Sequence, residues 1–315
     1  MYLRLHSLLK CALSVITAIA MLGSVGAVAA ANERSSDRPL RVVLVPADGG
    51  TEDGTRRDFQ PIFNAVASAT GLKFDLKVGQ SYGAVVEAMC NGSADIAWFG
   101  PVSYLQAHEL GCANLLAIAV SKGQSVYYSG IFARADSGIE TLQDVRGKKL
   151  ALGDINSTSS FNIPVAMLLR EGIDPARDPG SVTMAGSHAN VLSALAQGLV
   201  DVGGASFDSY EKALNAGAID ASEVRIIAKS APLPYPPLAI HPEVSADIKA
   251  RLQDAFSSVH TMPEIKPEQI RGYGGKQVDR YTSDVSEETM AEVGNMLNAV
   301  NRDVKQSILT ASNQR

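Results

Sequence analysis

The sequence predicts an α/β protein of two lobes, each a mostly parallel sheet flanked by helices, and three observations predict it. Short apolar runs suited to buried strands alternate with longer runs that are apolar at helical spacing, the order expected of parallel sheets with helical crossovers. The segments "YGAVVEAMCNGSADIAWFG" (82 to 100) and "HANVLSALAQGLVDVGGAS" (188 to 206) align without gaps at an offset of 106, with Val85 on Val191, Gly92 on Gly198 and Asp95 on Asp201. Setting aside the first 31 of 315 residues leaves 284, room for two ordinary domains.

Those first residues read as an export signal. Arg4 and Lys10 precede an apolar stretch from Cys11 to Val28 that closes on the small residues "AVAAA" at 27 to 31. The stretch is short and glycine-interrupted, which argues against a membrane anchor. Its removal takes two basic and no acidic residues, leaving 26 basic against 33 acidic and a formal charge of −7. Such a surface excludes nucleic acid and anionic membranes as partners, but it admits a small anion held by oriented dipoles. Cys90 and Cys112 remain after processing. An oxidising compartment permits a bridge between them, and the spacing leaves bridge and free thiols both open. It matches no metal site, and no cofactor is expected.

Along the mature chain, "LRVVLVP" (40 to 46) is a strand ended by proline, followed by a Gly- and Asp-rich loop "ADGGTEDGTRRD" (47 to 58) whose spacing completes no calcium site. "FQPIFNAVASATG" (59 to 71) is a helix with a glycine stop. The 82 to 100 and 188 to 206 segments each read as a short helix, a glycine stop and a buried strand, with Asp95 and Asp201 holding the turns and Trp98 and Phe99 forming wall or core. The chain is expected to cross to the second lobe at Tyr127 and return near "RIIAKSAPLPYPPLAI" (225 to 240), giving lobe 1 residues 40–127 plus 230–315 and lobe 2 residues 128–229. The segment from Pro242 onward reads as helical and polar, and "SEETMAEVGNMLNAVNRDVKQSIL" (286 to 309) as one amphipathic helix packing on the first lobe.

The stretch with the most chemistry is "DINSTSSFNIP" (154 to 164), four consecutive hydroxyl residues between the strand "KKLALGD" (148 to 154) and the helix "FNIPVAMLLREG" (161 to 172). Hydroxyls there can simply cap a helix. A strand end feeding a helix start also presents free backbone N–H groups, to which hydroxyl donors add an anion site. The offset of 106 places Tyr82 on His188, both at helix starts, where ligands of open parallel sheets bind.

With "DIAWFGPVSY" (95 to 104), "YYSGIFARADSGIETLQDVRGKKLALGD" (127 to 154), "STS" (157 to 159), "GSH" (186 to 188) and "GLVDVGGAS" (198 to 206) in order, the chain resembles the phosphate-, phosphite- and phosphonate-binding components of ABC importers, type II periplasmic binding proteins. The resemblance implies a monomeric Venus-flytrap protein in the periplasm that closes over a phosphorus oxyanion and hands it to an ABC permease and its ATPase. It implies that Ser157, Thr158 and Ser159 hold the oxygens, that Tyr82 and Tyr127 donate from the other side, and that His188 completes the cage. Strand neighbours face opposite ways, so only one of Tyr127 and Tyr128 looks inward, and the resemblance favours Tyr127, which fits the family's Tyr-x-Ser pattern. The imidazole of His188 can donate as a cation or share a proton. Asp208, near a family acid, can accept a proton from the ligand and repel sulfate. Where an aminophosphonate-binding member has an acid, "APLPYPP" (231 to 237) carries Pro236, which weighs against an ammonium-bearing ligand.

Two other classes compete. A ligand sensor on the same fold has the same sequence signature. A serine hydrolase using Ser157, His188 and Asp208 lacks a G-x-S-x-G elbow, since "GASFD" (204 to 208) has no second glycine, and the sequence is not read as an enzyme.

Overall fold

In the computed structural model, which describes residues 38–47 and 52–314, two sheets are built by one plan. The expected export segment, 1–31, lies outside the described residues, as do positions 48–51 of the first loop. The described residues fall within one compact unit, Ser36–Arg315.

The first sheet begins with β1 (Leu40–Leu44), whose Leu40, Val42 and Leu44 are buried. Helix α1 (Glu52–Thr70) starts earlier than its apolar spacing predicts, so much of the expected 47 to 58 loop is helical. Glu52 and Asp53 face the positive helix end in the first turn, and Thr55 is buried beside Phe59. Then follow β2 (Phe74–Val78), α2 (Tyr82–Cys90), β3 (Ile96–Trp98), α3 (Pro101–Glu109) and β4 (Asn114–Val120). The chain passes through a short strand, β5 (Val126–Tyr127), into the second sheet. That sheet contains β6 (Ser129–Arg134), β7 (Lys149–Leu152), α4 (Ile163–Arg170), β8 (Ser181–Met184), α5 (His188–Ala196), β9 (Val202–Ser206), α6 (Phe207–Asn215) and β10 (Val224–Lys229) with their connections. It returns through β11 (Leu233–Pro234), which pairs antiparallel with β5, Leu233 opposite Tyr127. The first sheet is completed by β12 (Pro237–Ile240), α7 (Ala246–Ser258) and β13 (Arg280–Thr282), and α8 (Glu287–Met296) and α9 (Arg302–Ser312) end the chain.

The internal repeat is a repeat of sheet position. In the first sheet the order is β13-β4-β12-β3-β1-β2 and in the second β10-β6-β9-β7-β8. Strand β3 lies parallel to β1 and antiparallel to β12, just as β9 lies parallel to β7 and antiparallel to β6. The two aspartates of the repeat do the same work: Asp95 accepts from the Arg41 amide at 2.8 Å and Asp201 from the Lys149 amide at 2.9 Å, each tying a helix–strand turn to the neighbouring parallel strand. Asp95 is wholly buried and is further matched by Arg38 and Arg41 at 2.7 and 2.9 Å. Where the repeats differ, packing explains it. A Cβ on Gly204, the counterpart of Trp98, would stand 2.6 Å from Pro164 of α4, and one on Gly203 2.5 Å from Val191 of α5.

Two expectations about the C-terminal part are corrected. The single helix over 286 to 309 is two, because Asn301 caps a new start by accepting from the Val304 amide at 3.0 Å. Helix α9 packs against β8 of the second sheet rather than on the first, burying Ile308, together with the preceding Val300, among Leu150, Leu168 and Val182. Amphipathic spacing shows that one face is buried but not which sheet covers it. The chain therefore passes between the sheets a third time.

Cys90 at the end of α2 and Cys112 after α3 form a disulfide, settling the choice the spacing left open. With a sequence separation of 22 the loop-entropy model assigns it about 3 kcal/mol. Urea unfolding of the Cys90→Ser/Cys112→Ser protein should show a loss of that order; an unchanged midpoint would mean that the bridge constrains nothing in the unfolded chain.

Candidate ligand-binding site

Five helix N-termini meet between the sheets, and each follows from local sequence. Ser81 and Ser187 cap α2 and α5, accepting from the amides of Ala84 and Asn190, so Tyr82 and His188 are the first helical residues. Gly100 and Pro101 open α3, and Ser206 caps α6 by accepting from the Ser209 amide. Ser157 caps the fifth, which begins as a wide turn over Thr158–Asn162 before α4 and so starts one residue before Ser159. Aligned peptide dipoles place partial positive charge at every one of these ends.

The side chains at these ends are buried and joined. Tyr82 and Tyr273 bring their phenol oxygens to 2.7 Å, Tyr273 lies 2.9 Å from His188 Nε2, and Ser157 Oγ lies 3.3 Å from the same nitrogen. His188 Nδ1 accepts from the Ser206 amide at 2.9 Å. A backbone amide can only donate, so Nδ1 is unprotonated and the proton of the neutral ring sits on Nε2, pointed into the cluster. The donor order therefore runs from His188 to Tyr273 to Tyr82. This removes the cationic form that the sequence left open for His188, and burial pushes the pKa of the ring down to about 3.

Thr158 Oγ1 accepts from the Val102 amide at the start of α3, 2.8 Å away across the two sheets. Gly100 fits between them: a Cβ there would touch Tyr82 Cε1 at 3.4 Å and Thr158 Oγ1 at 3.5 Å. Tyr127 is buried with its ring 5.6 Å from that of Tyr273 and 6.0 Å from that of Tyr235. Burial holds its phenol protonated, well above the ordinary tyrosine range, with the Ser159 and Thr158 hydroxyls beside it. Tyr128 turns outward, under the ammonium of Lys229 at 3.8 Å. The oxygens of Tyr127, Ser159 and Ser160 are buried with no hydrogen-bond partner among the described residues, as is Trp98 Nε1.

Asp208 stands at the flank of this cluster. Its Oδ2 accepts from Tyr235 at 3.3 Å and its Oδ1 from Lys276 at 2.9 Å. Burial raises its pKa, with Lys276 acting in the opposite direction. Of the seven residues singled out in the sequence, Tyr82, Tyr127, Ser157, Thr158, Ser159 and His188 line one buried polar region and Asp208 reaches it through Tyr235.

Sequence reasoning missed Tyr273, the hub of the cluster, along with Tyr235 and Lys276. Tyr273 lies in "RGYGGK", inside the stretch read as helical and polar. The signal was the tyrosine before two glycines: Gly274 and Gly275 adopt φ of 73° and 66°, a conformation that turns the chain sharply and delivers the phenol inward.

Comparison with known proteins identifies the family. Residues 49–275 match the family described as ABC transporter, phosphonate, periplasmic substrate-binding protein. The chain belongs to this family. It is 27% identical over 229 residues to the phosphate-import protein PhnD of Mycolicibacterium smegmatis, covering 69% of this chain and 71% of that protein. It is 24% identical over 241 residues to the phosphonates-binding periplasmic protein of Escherichia coli, covering 75% and 70%. Among solved structures, a binding-protein component of an ABC phosphonate transporter from Pseudomonas aeruginosa superposes with a TM-score of 0.74 at 21% identity, covering 89% of this chain and 90% of that one. PhnD1 of Prochlorococcus marinus, in complex with methylphosphonate, superposes at 0.70 with 14% identity, covering 84% and 98%. These likenesses establish the two-lobed periplasmic-binding-protein fold. The family is one of substrate-binding transport proteins, and no helix among the described residues is long and apolar enough to cross a membrane.

The neutral ring of His188 has a consequence for stability. Its folded pKa of about 3 lies below the unfolded value near 6.5, so the unfolded chain takes up a proton first as the pH falls. Stability fully present above pH 6.5 is then lost between 6.5 and 3. Between pH 7 and pH 5 the protein should lose about 2 kcal/mol more than the His188→Gln variant, measured by urea unfolding. Parallel losses would show that the ring is charged in the fold.

Proposed function

We propose that the protein captures a phosphorus oxyanion, a phosphonate, phosphite or phosphate, between its lobes and delivers it in the periplasm to an ABC permease and its ATPase. The observation that carries this reading is the convergence of buried, fixed O–H and N–H donors on one interlobe region. Tyr127 and Ser159 place hydroxyls there that no other described residue matches. A buried donor without an acceptor costs about 1–3 kcal/mol, and a tetrahedral oxyanion supplies several acceptors at once. Hydrogen bonds to a charged acceptor are about twice as strong as neutral ones, and the helix ends add favourable dipoles.

In this reading Tyr82, Tyr127, Ser157, Thr158, Ser159 and His188 form the cage, Tyr273 joins them, and Asp208 sets the charge of one wall. Ser157 both caps its helix and faces His188, so the two roles open from sequence are compatible. The protein binds without turnover: His188 donates from Nε2 and so cannot act as a base toward Ser157 in this tautomer. The 1–31 segment directs export and is removed.

Titration calorimetry with methylphosphonate, phosphite and phosphate should give saturable one-to-one binding of at least one, and no binding of any would refute the assignment. Ser157→Ala and His188→Ala should each weaken binding tenfold or more, a loss of about 1.4 kcal/mol. Wild-type affinity in both would remove these residues from the cage. Because the donors are buried dipoles, affinity should change little between low salt and about 0.5 M salt, where surface charges are screened within a few ångströms; a steep loss would point to steering by surface charge instead.

A further inference from the structure

A cavity of about 550 Å³ adjoins the cage at its solvent side, lined by Asp58, Asp208, Glu211, Lys212, Arg271 and Lys276 among others. The turn that delivers Tyr273 to the cage also delivers Lys276 to this cavity. Gly275, with φ of 66°, lies between them, and a Cβ there would come within 2.4 Å of Asp58 and 2.8 Å of Lys212 Nζ. Lys276 Nζ then reaches α6 on the other lobe, 2.9 Å from Asp208 and 3.0 Å from Glu211. Burial works against its charge, but the two carboxylates outweigh it and hold the Lys276 pKa above the ordinary lysine value, so the group is an ammonium.

Asp208 is shared between cavity and cage. One oxygen meets Lys276, and the other meets the Tyr235 phenol, which packs on Tyr127. Resting on the oxyanion reading above, we infer that Lys276 is a specificity-determining residue: it occupies the carboxylate pair that would otherwise attract a cationic substituent on the ligand. Two effects follow. The ammonium offsets the repulsion between Asp208 and an anion in the cage. A substituent entering the cavity meets a positive charge whose counter-ions are already engaged, so neutral or anionic groups are accepted and an ammonium is rejected.

Ethylphosphonate and 2-aminoethylphosphonate, nearly equal in size and different in charge, test this by titration calorimetry. The wild-type protein should favour ethylphosphonate by about tenfold or more, and Lys276→Met should move that ratio toward the aminated ligand by about tenfold. Lys212→Met removes an ammonium from the same cavity that pairs with Asp58, 2.9 Å away, and should leave the ratio nearly unchanged. Lys276→Arg, which keeps the charge, should retain the wild-type preference and serves if the methionine variant fails to fold. A wild-type protein that prefers the aminated ligand or binds both equally, a ratio unmoved in Lys276→Met, or a lost preference in Lys276→Arg overturns the inference while the oxyanion reading stands. Binding of phosphate with neither alkyl compound bound does the same, because no substituent then reaches the cavity. Binding of no phosphorus oxyanion at all overturns both.

Discussion

Taking a polar group out of water is tolerable only if a partner replaces the water, and the region between the lobes is governed by that requirement. Helix N-termini bring unmatched amides there, and serine caps, phenols and one imidazole add hydroxyl and N–H donors. Much of this donor capacity is consumed internally. Ser206 N–H is spent on His188, Val102 N–H on Thr158, the His188 Nε2–H on Tyr273 and the Tyr273 O–H on Tyr82. What remains, on Tyr127 and Ser159, has no acceptor among the described residues.

The same requirement explains why the site uses dipoles instead of cations. A lysine or arginine among these buried groups would itself need a counter-charge, and its desolvation would cost several kcal/mol. Charge is kept at the flank, where Lys276 and Asp208 neutralise each other beside a solvent-open cavity. Neutral His188 fits this division, because a buried imidazolium would bring the penalty back into the cage. Rigidity comes from the sheets: Asp95 and Asp201 tie equivalent turns to the parallel strands β1 and β7, and these turns lead through β3 and β9 to the starts of α3 and α6.

Contacts that cross between the lobes come in two grades. Deeper in the cleft, the Tyr82 amide donates to Asp154 at 3.2 Å in part-buried surroundings and Tyr273 meets His188 in buried ones. Towards solvent, Lys212 pairs with Asp58 and Lys276 with Glu211, partly exposed pairs each worth at most about 1 kcal/mol, while Lys276 also meets the buried Asp208. Alignment of the lobes thus rests mainly on polar groups deeper in the cleft.

Local patterns determined a large part of this protein. The repeat at an offset of 106 announced two equivalent sheet positions, because glycine stops, apolar spacing and paired aspartates are short-range demands that recur wherever the same unit is built. The hydroxyl run and the aligned Tyr82 and His188 were legible for the same reason: strand-to-helix turns carry their chemistry in a few adjacent residues. Tertiary structure alone decided what depends on distant partners. Tyr273 lies 85 residues from His188, and nothing near it in sequence says that a glycine-directed turn will carry it into the cleft. The tautomer of His188 depends on the Ser206 amide, the neutralisation of Asp208 on Lys276, and the placement of α9 on which apolar face the rest of the chain leaves uncovered. Sequence spacing can tell which way a side chain faces, but only the folded chain decides what it meets there.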